Sequence, residues 1–237
     1  MKKVLTALLL FLGSHYLAVA DDYFPPPFSA QYKLYARGFA IGEGTRRLYQ
    51  QPDGKMVYEA KTLTTGVLAL FRDDKIEERS LFSLTPAGKI QPLEYSLDHT
   101  GSKKQKHVHI TFDWPLKKAK NTADSPWELT IPEGTLDDQL YQIALMQDLQ
   151  QGKRELSYTV ADDGKIKVYR PTFVSEEKVR TDLGEFNTLK YERVSSDKKR
   201  RTTLWCAPVL HYLPVQVEHL EKGDTVRMVL QSLEGLK

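Results

Sequence analysis

The chain has 237 residues, 34 basic and 31 acidic, for a formal net charge of +3 at neutral pH. So even a balance sets up no global field for nucleic acid, and a chain of this length, 41% apolar, can bury a core of its own. A single cysteine, Cys206, excludes an internal disulfide, so the fold must stand on that core.

The N-terminus reads as a leader. Lys2 and Lys3 precede an apolar run from Val4 to Leu12, and Ala18-Val19-Ala20 stands before Asp21, the pattern of a secretory signal peptide. The pattern predicts cleavage after residue 20, a proline-rich leader over 21–27 containing Pro25, Pro26 and Pro27, and one β-rich domain over 28–237 in the periplasm. The apolar run is shorter than the ~20 residues of a membrane span, and nothing later approaches that length, so no transmembrane span is expected. With no cysteine beside the cleavage site, no lipid anchor is expected there either.

From Phe28 to Arg37 apolar and polar residues alternate, with Phe28, Ala30, Tyr32, Leu34 and Ala36 on one face, as in a half-buried antiparallel strand. The same period recurs at Leu156, Tyr158 and Val160, at Ile166 and Val168, at Leu189 and Tyr191, and at Val226, Met228 and Leu230. Turn chemistry is expected at Gly42 to Gly44, Asp53-Gly54, Asp163-Gly164, Leu183-Gly184 and Gly223-Asp224. Gly66 to Phe71 is continuously apolar, a strand buried on both faces or the lip of a pocket. One segment breaks the period of two. Leu136, Leu140, Ile143, Ala144 and Leu149 keep helical spacing, Thr135 suits an N-cap, Asp137 and Asp138 suit the first turn, and Gly152 suits the stop. These positions predict one amphipathic helix over about 136–151, packed on the sheet or plugging an opening between strands. The fold class is therefore mainly β: a hairpin-rich antiparallel sheet forming an open or partly closed barrel with one helix.

Candidate chemistry is sparse. His107 and His109 share one side of a strand with Asp113, and His99 is near, but Val108, Ile110, Phe112 and Trp114 claim the buried side and turn both histidines to water. No metal site and no cofactor are expected. The carboxylate pairs Asp73-Asp74, Glu77-Glu78, Asp137-Asp138 and Glu176-Glu177 have no legible catalytic spacing, and Asp137-Asp138 is explained by the helix dipole. No Gly-x-Ser-x-Gly, Ser-x-x-Lys or His-Glu-x-x-His signature is present. Cys206 alternates with Leu204 and reads as an inert core thiol. The basic runs at 103–106, 117–120 and 198–201 fall at hairpin ends, where solvation explains them and contact with anionic headgroups is the sharper alternative.

Taken together, Phe112-Asp113-Trp114, Gly134-Thr135-Leu136-Asp137 leading to Gly152-Lys153, Leu156 to Asp162, Leu183-Gly184 with Phe186, and Thr203-Leu204-Trp205 running to Tyr212-Leu213-Pro214-Val215 resemble the bacterial exported proteins of domain-of-unknown-function family 3108. The resemblance covers nearly all of the chain after the leader and implies no reaction. The closing segment, from Leu204-Trp205 to the strand after Gly223-Asp224, is similar to the end of periplasmic Lol-type lipoprotein carriers, which implies an open half-barrel with an apolar concave face.

The favoured expectation is a non-enzymatic periplasmic protein that binds an amphiphile or envelope component, such as a lipid or lipoprotein, in an apolar groove. Its lining candidates are Leu68, Leu70, Phe71, Leu140, Ile143 and Trp205, which would remove acyl surface from water at ~25 cal/mol per Å². The alternative is an envelope scaffold that docks on a protein partner through strand edges or basic hairpin ends. A hydrolase acting on glycan or lipid comes last.

Overall fold

The computed structural model describes residues 23–66, 69, 73–101 and 105–236, so the signal peptide expected over 1–20, together with Leu68, Leu70, Phe71, Lys103 and Lys104, lies outside the described residues. The strands are β1 (Phe28–Ala36), β2 (Phe39–Gln50), β3 (Met56–Thr64), β4 (Lys75–Leu84), β5 (Ile90–Thr100), β6 (Lys106–Asp113), β7 (Lys118–Asn121) and β8 (Trp127–Thr130). After the helix α1 (Tyr141–Gln150) come β9 (Tyr158–Asp162), β10 (Lys165–Tyr169), β11 (Thr172–Thr181), β12 (Gly184–Val194), β13 (Arg200–Ala207), β14 (Leu213–Glu221) and β15 (Asp224–Glu234). β1 buries Phe28, Ala30, Tyr32 and Leu34, as its alternation requires.

Thirteen strands form one antiparallel sheet in the order β11-β12-β13-β14-β15-β1-β2-β3-β4-β5-β6-β7-β8. β15 joins the C-terminal half to the N-terminal half by pairing with β1, Tyr32 opposite Leu230 and Leu34 opposite Met228. β8 and β11 are its two edges, so hydrogen bonds do not close a barrel. The sheet nevertheless curls, bringing β11 within reach of β14 and β15. Because nearly every connection is a hairpin, turns alternate between two rims. Those after β1, β3, β5, β12 and β14 share the upper rim, and those after β2, β4, β6, β11 and β13 share the lower rim.

The segment between β8 and β11 fills part of the curl with α1 and the hairpin β9-β10. The helix is shorter than its spacing predicts. Leu136 is held in a parallel bridge to Val160, its N–H donating to the Thr159 carbonyl and its own carbonyl accepting from Ala161 N–H, so helical geometry waits until Tyr141. Thr135 does not cap the helix, because its hydroxyl donates to the Pro132 carbonyl. Asp137 instead holds the turn that leads into it: its Oδ1 accepts from the N–H groups of Gln139 and Leu140 at 2.9 and 2.8 Å, satisfying buried donors just before the helix. No residue of α1 is exposed, so it is a plug inside the sheet more than an amphipathic surface helix. Gln139 Nε2 donates to the Tyr58 carbonyl of β3, and Gln147 Nε2 to the Gly88 carbonyl at the lower rim.

Gly42 and Gly44 do not make the turn their spacing suggests; both lie inside β2, and Arg37-Gly38 turns the hairpin with positive φ at both residues. Close approach explains the glycines. A Cβ on Gly42 would sit 2.3 Å from the Leu63 carbonyl oxygen, and one on Gly44 would meet Met228 Cε at 3.0 Å and Leu34 Cδ1 at 3.3 Å. Gly42→Ala should therefore destabilise the protein by ~1–3 kcal/mol, since backbone must shift to admit the methyl. An unchanged urea midpoint would show that the contact between β2 and β3 is looser than described.

Candidate functional site

The inner face of the sheet is covered unevenly, and lengths explain why. A ten-residue helix spans ~15 Å, whereas strands of nine to twelve residues run ~30–40 Å. The helix therefore covers about half the face. Toward the lower rim Phe28, Leu48, Tyr58, Phe82 and Tyr95 are buried. Toward the upper rim Ile76, Leu97, Val108, Val217 and Met228 face the same interior and remain half-buried. Register joins several of them: Met228 lies between Leu34 and Val217, Leu34 lies opposite Gly42, and Leu97 lies between Glu78 and Val108. The result is an uncovered upper stretch of the inner face, a trough whose half-buried apolar residues form two groups, Val217 and Met228 against the main core and Leu97 and Val108 against Tyr95, Ile110 and Phe112.

Polar groups cluster where the plug meets this trough. The Arg193 guanidinium lies 3.9 Å from the Tyr169 ring centroid and 5.3 Å from that of Tyr141, as a cation does over an aromatic face. Tyr169 donates its hydroxyl to Asp138, and Tyr95 donates its hydroxyl to Glu78 at 2.8 Å. Burial pushes the Asp138 carboxyl up, reinforced by Asp162 and opposed by Tyr169. Burial also raises Asp137 to about 7, against the lowering effect of the N–H groups of Leu140 and Gln139.

Arg46 is a second cation on the inner face. Register sets it between Ala30 and Ala60, two small residues that leave room for its side chain to cross the sheet. Its Nη1 donates to the Thr45 carbonyl at 3.0 Å and its Nη2 approaches Met228 Sδ at 3.9 Å.

Of the six lining candidates, Leu68, Leu70 and Phe71 lie outside the described residues. Leu140 and Ile143 come together in the core, both fully buried. Trp205 belongs to the same cluster, but strand alternation sets it on the face of β13 opposite to Leu204, beside Lys190. There its indole N–H donates to Glu177 Oε2 at 2.8 Å and the Lys190 ammonium sits 5.0 Å from the ring. Glu177 also accepts from Ser175 and Lys190, and these three hydrogen bonds hold its carboxyl down at about 2, the Trp205 bond contributing most. Sequence reasoning missed Arg46 and Arg193. The only sign of Arg46 was its place two residues from Gly44 and from Leu48, on a face too poor in apolar residues to read as inward.

The opposite face of β2–β5 holds a cleft of about 510 Å³ lined by charges that satisfy one another, with Lys61–Glu77 at 3.0 Å and Arg79–Glu59 at 3.7 Å. His107 and His109 pair singly with Asp98 and Glu94 on that face, turned away from Val108 and Ile110. Among the described residues no three metal-binding side chains converge. Cys206 is fully buried, and burial raises its thiol pKa.

A curled, hydrogen-bond-open antiparallel sheet plugged by its own helix defines a β-barrel-like protein. The chain belongs to the family of proteins of unknown function DUF3108, whose model matches residues 31–231. Its fold is similar to that of the β-barrel-like protein of domain of unknown function DUF1849 from Brucella abortus, 11% identical, with a TM-score of 0.63 over 90% of this chain and 99% of that one. Weaker likenesses are to a candidate lipoprotein from Parabacteroides distasonis ATCC 8503 (16% identity, TM-score 0.36, 90% of this chain and 98% of that one) and to a chain of the Pseudomonas aeruginosa MucA/MucB complex (10% identity, TM-score 0.18, 93% and 97%). Neither weak likeness carries an argument. No curated protein matches the chain in sequence.

Proposed function

We propose that this is a non-enzymatic periplasmic binding protein that shelters the acyl part of an amphiphile in the upper half of its trough. The observation that carries the proposal is the gradient of burial along the inner face, complete beside α1 and partial around Ile76, Leu97, Val108, Val217 and Met228. Soluble proteins bury an apolar concave surface of this kind against their own chain or against a ligand. Here the chain's own plug is too short to do it all. In this reading Leu140 belongs to the floor and Ile143 anchors the plug beneath it, while Trp205 braces β13 from its other side. The periplasmic address rests on the sequence leader. Lys198, Lys199, Arg200 and Arg201 are exposed on the upper rim beside the mouth, which suits a protein that meets anionic membrane surfaces.

Native mass spectrometry of the protein purified from periplasm without detergent tests the proposal. A bound mass of lipid size that disappears on solvent extraction is the expected result. A clean apo mass, together with no uptake of added acyl ligand, would refute it.

The edge strand β11 favours a second reading, docking of a protein partner by strand addition, because Phe173 and Val174 stand about half exposed at 52% and 49% beside unpaired backbone. Proline at position 174 would block such pairing and leave acyl binding unchanged.

A further inference from the structure

We propose that Arg46 fixes the headgroup of the ligand, and hence that the trough selects an acyl chain bearing an anionic group, carboxylate or phosphate. This rests on the reading of the trough as an amphiphile site and adds the ligand's charge to it. The argument starts from what the guanidinium lacks. It faces the interior from a strand position flanked by Ala30 and Ala60, yet its hydrogen-bond partners are a neighbouring backbone carbonyl and a thioether. Neither offers the charge or the paired oxygens that a guanidinium's planar donors fit, and no carboxylate among the described residues forms an ion pair with it. Two other charges turned inward are engaged: Arg193 stacks on Tyr169 beside Asp138, and Glu78 accepts from Tyr95.

Glu78 stands across Ala60 on the same face but is engaged by Tyr95, and a half-buried cation with no carboxylate in contact is destabilising unless something else uses it. Its tip reaches Met228, the residue that also touches Gly44 and lies opposite Leu34, so the free donors sit among the apolar walls of the trough. An anion there would gain charge-assisted hydrogen bonds in a low-dielectric setting, while its chain lies against Met228 and Val217.

Calorimetric titration with dodecanoate, dodecyl phosphate and the neutral glycerol ester of dodecanoate, each below its aggregation concentration, provides the test on the full mature protein and on Arg46→Gln, Arg46→Lys and Arg46→Met. The expected result is at least tenfold tighter binding of one or both anions than of the ester by the wild type. Arg46→Gln and Arg46→Met should abolish that preference with ester affinity unchanged, and Arg46→Lys should keep part of it. The tighter of the two anions identifies the headgroup chemistry. Arg46→Met should also unfold at a higher temperature than the wild type, which guards against reading misfolding as lost recognition. Equal affinity for anions and ester, or a preference that survives in Arg46→Gln, would overturn the inference and leave the amphiphile reading standing. Failure of the wild type to bind any of the three would overturn both.

Discussion

Stability should fall as pH rises from 4 to 8, the reverse of the usual acid sensitivity, because the folded protein holds Asp137 as an acid. Burial lifts its carboxyl from the ordinary aspartate value of 3.8 to about 7. A raised folded pKa means that the folded state binds the proton more tightly than the unfolded chain. The associated stability is complete below about pH 4 and is lost as pH climbs through 7. A shift of ~3 units at ~1.4 kcal/mol each sets an upper limit of about 4 kcal/mol for this group. Asp138, raised by burial and by Asp162, acts in the same direction. Glu177 opposes them at low pH, its carboxyl being held near 2, but its side chain is 38% exposed and solvent screens part of its effect. Urea unfolding at pH 4.5, 6 and 8 should therefore give a midpoint that drops with pH.

Two substitutions at this position separate the hydrogen bonds from the charge. Asp137→Asn keeps an acceptor for the Gln139 and Leu140 N–H groups and cannot ionise, so it should match the wild type near pH 4.5 and exceed it at pH 8. Asp137→Ala leaves both N–H groups open in a buried place and should cost about 2–3 kcal/mol near pH 5. A flat midpoint across this pH range in the wild type would mean that Asp137 is better hydrated than its burial implies.

Ile143→Ala should lower stability by about 3 kcal/mol at any of these pH values. The side chain is fully buried in the cluster that joins α1 to the sheet, and truncation leaves a cavity that rigid strands cannot collapse to fill. Because Ile143 lies below the floor of the trough, acyl affinity should change far less than stability. A loss below 1 kcal/mol in thermal unfolding would mean that the plug is loosely seated. Proportional loss of binding would place Ile143 on the ligand itself.

The strands were legible wherever one face is buried and the other wet, as in β1, where Phe28, Ala30, Tyr32 and Leu34 alternate with polar neighbours. Legibility failed where tertiary contact replaces local preference. Thr202 to Ala207 of β13 are all buried, so period two carries no information there and the side of the sheet on which Trp205 falls could not be read. Leu136 has helical spacing from Leu140 and Ile143, but a bridge to Val160, distant in sequence, claims its backbone. Gly42 and Gly44 carry turn chemistry yet serve as clearance between packed strands. The trough was foreseeable only as an apolar groove. The inward turn of Arg46 was not, because an arginine between polar and glycine residues reads as surface until the register sets it between Ala30 and Ala60.

Beyond Met1 the sequence has three methionines, which report on three places: Met228 on the trough wall, Met56 in the core below it and Met146 inside the plug. Titrating methyl-labelled protein with dodecanoate and following the three methionine methyl resonances is the most direct test of the central claim. The account predicts a saturable shift of the Met228 methyl, with those of Met56 and Met146 nearly fixed. A Met228 resonance that stays in place at saturating ligand, or three resonances that move together, would contradict a site in the trough.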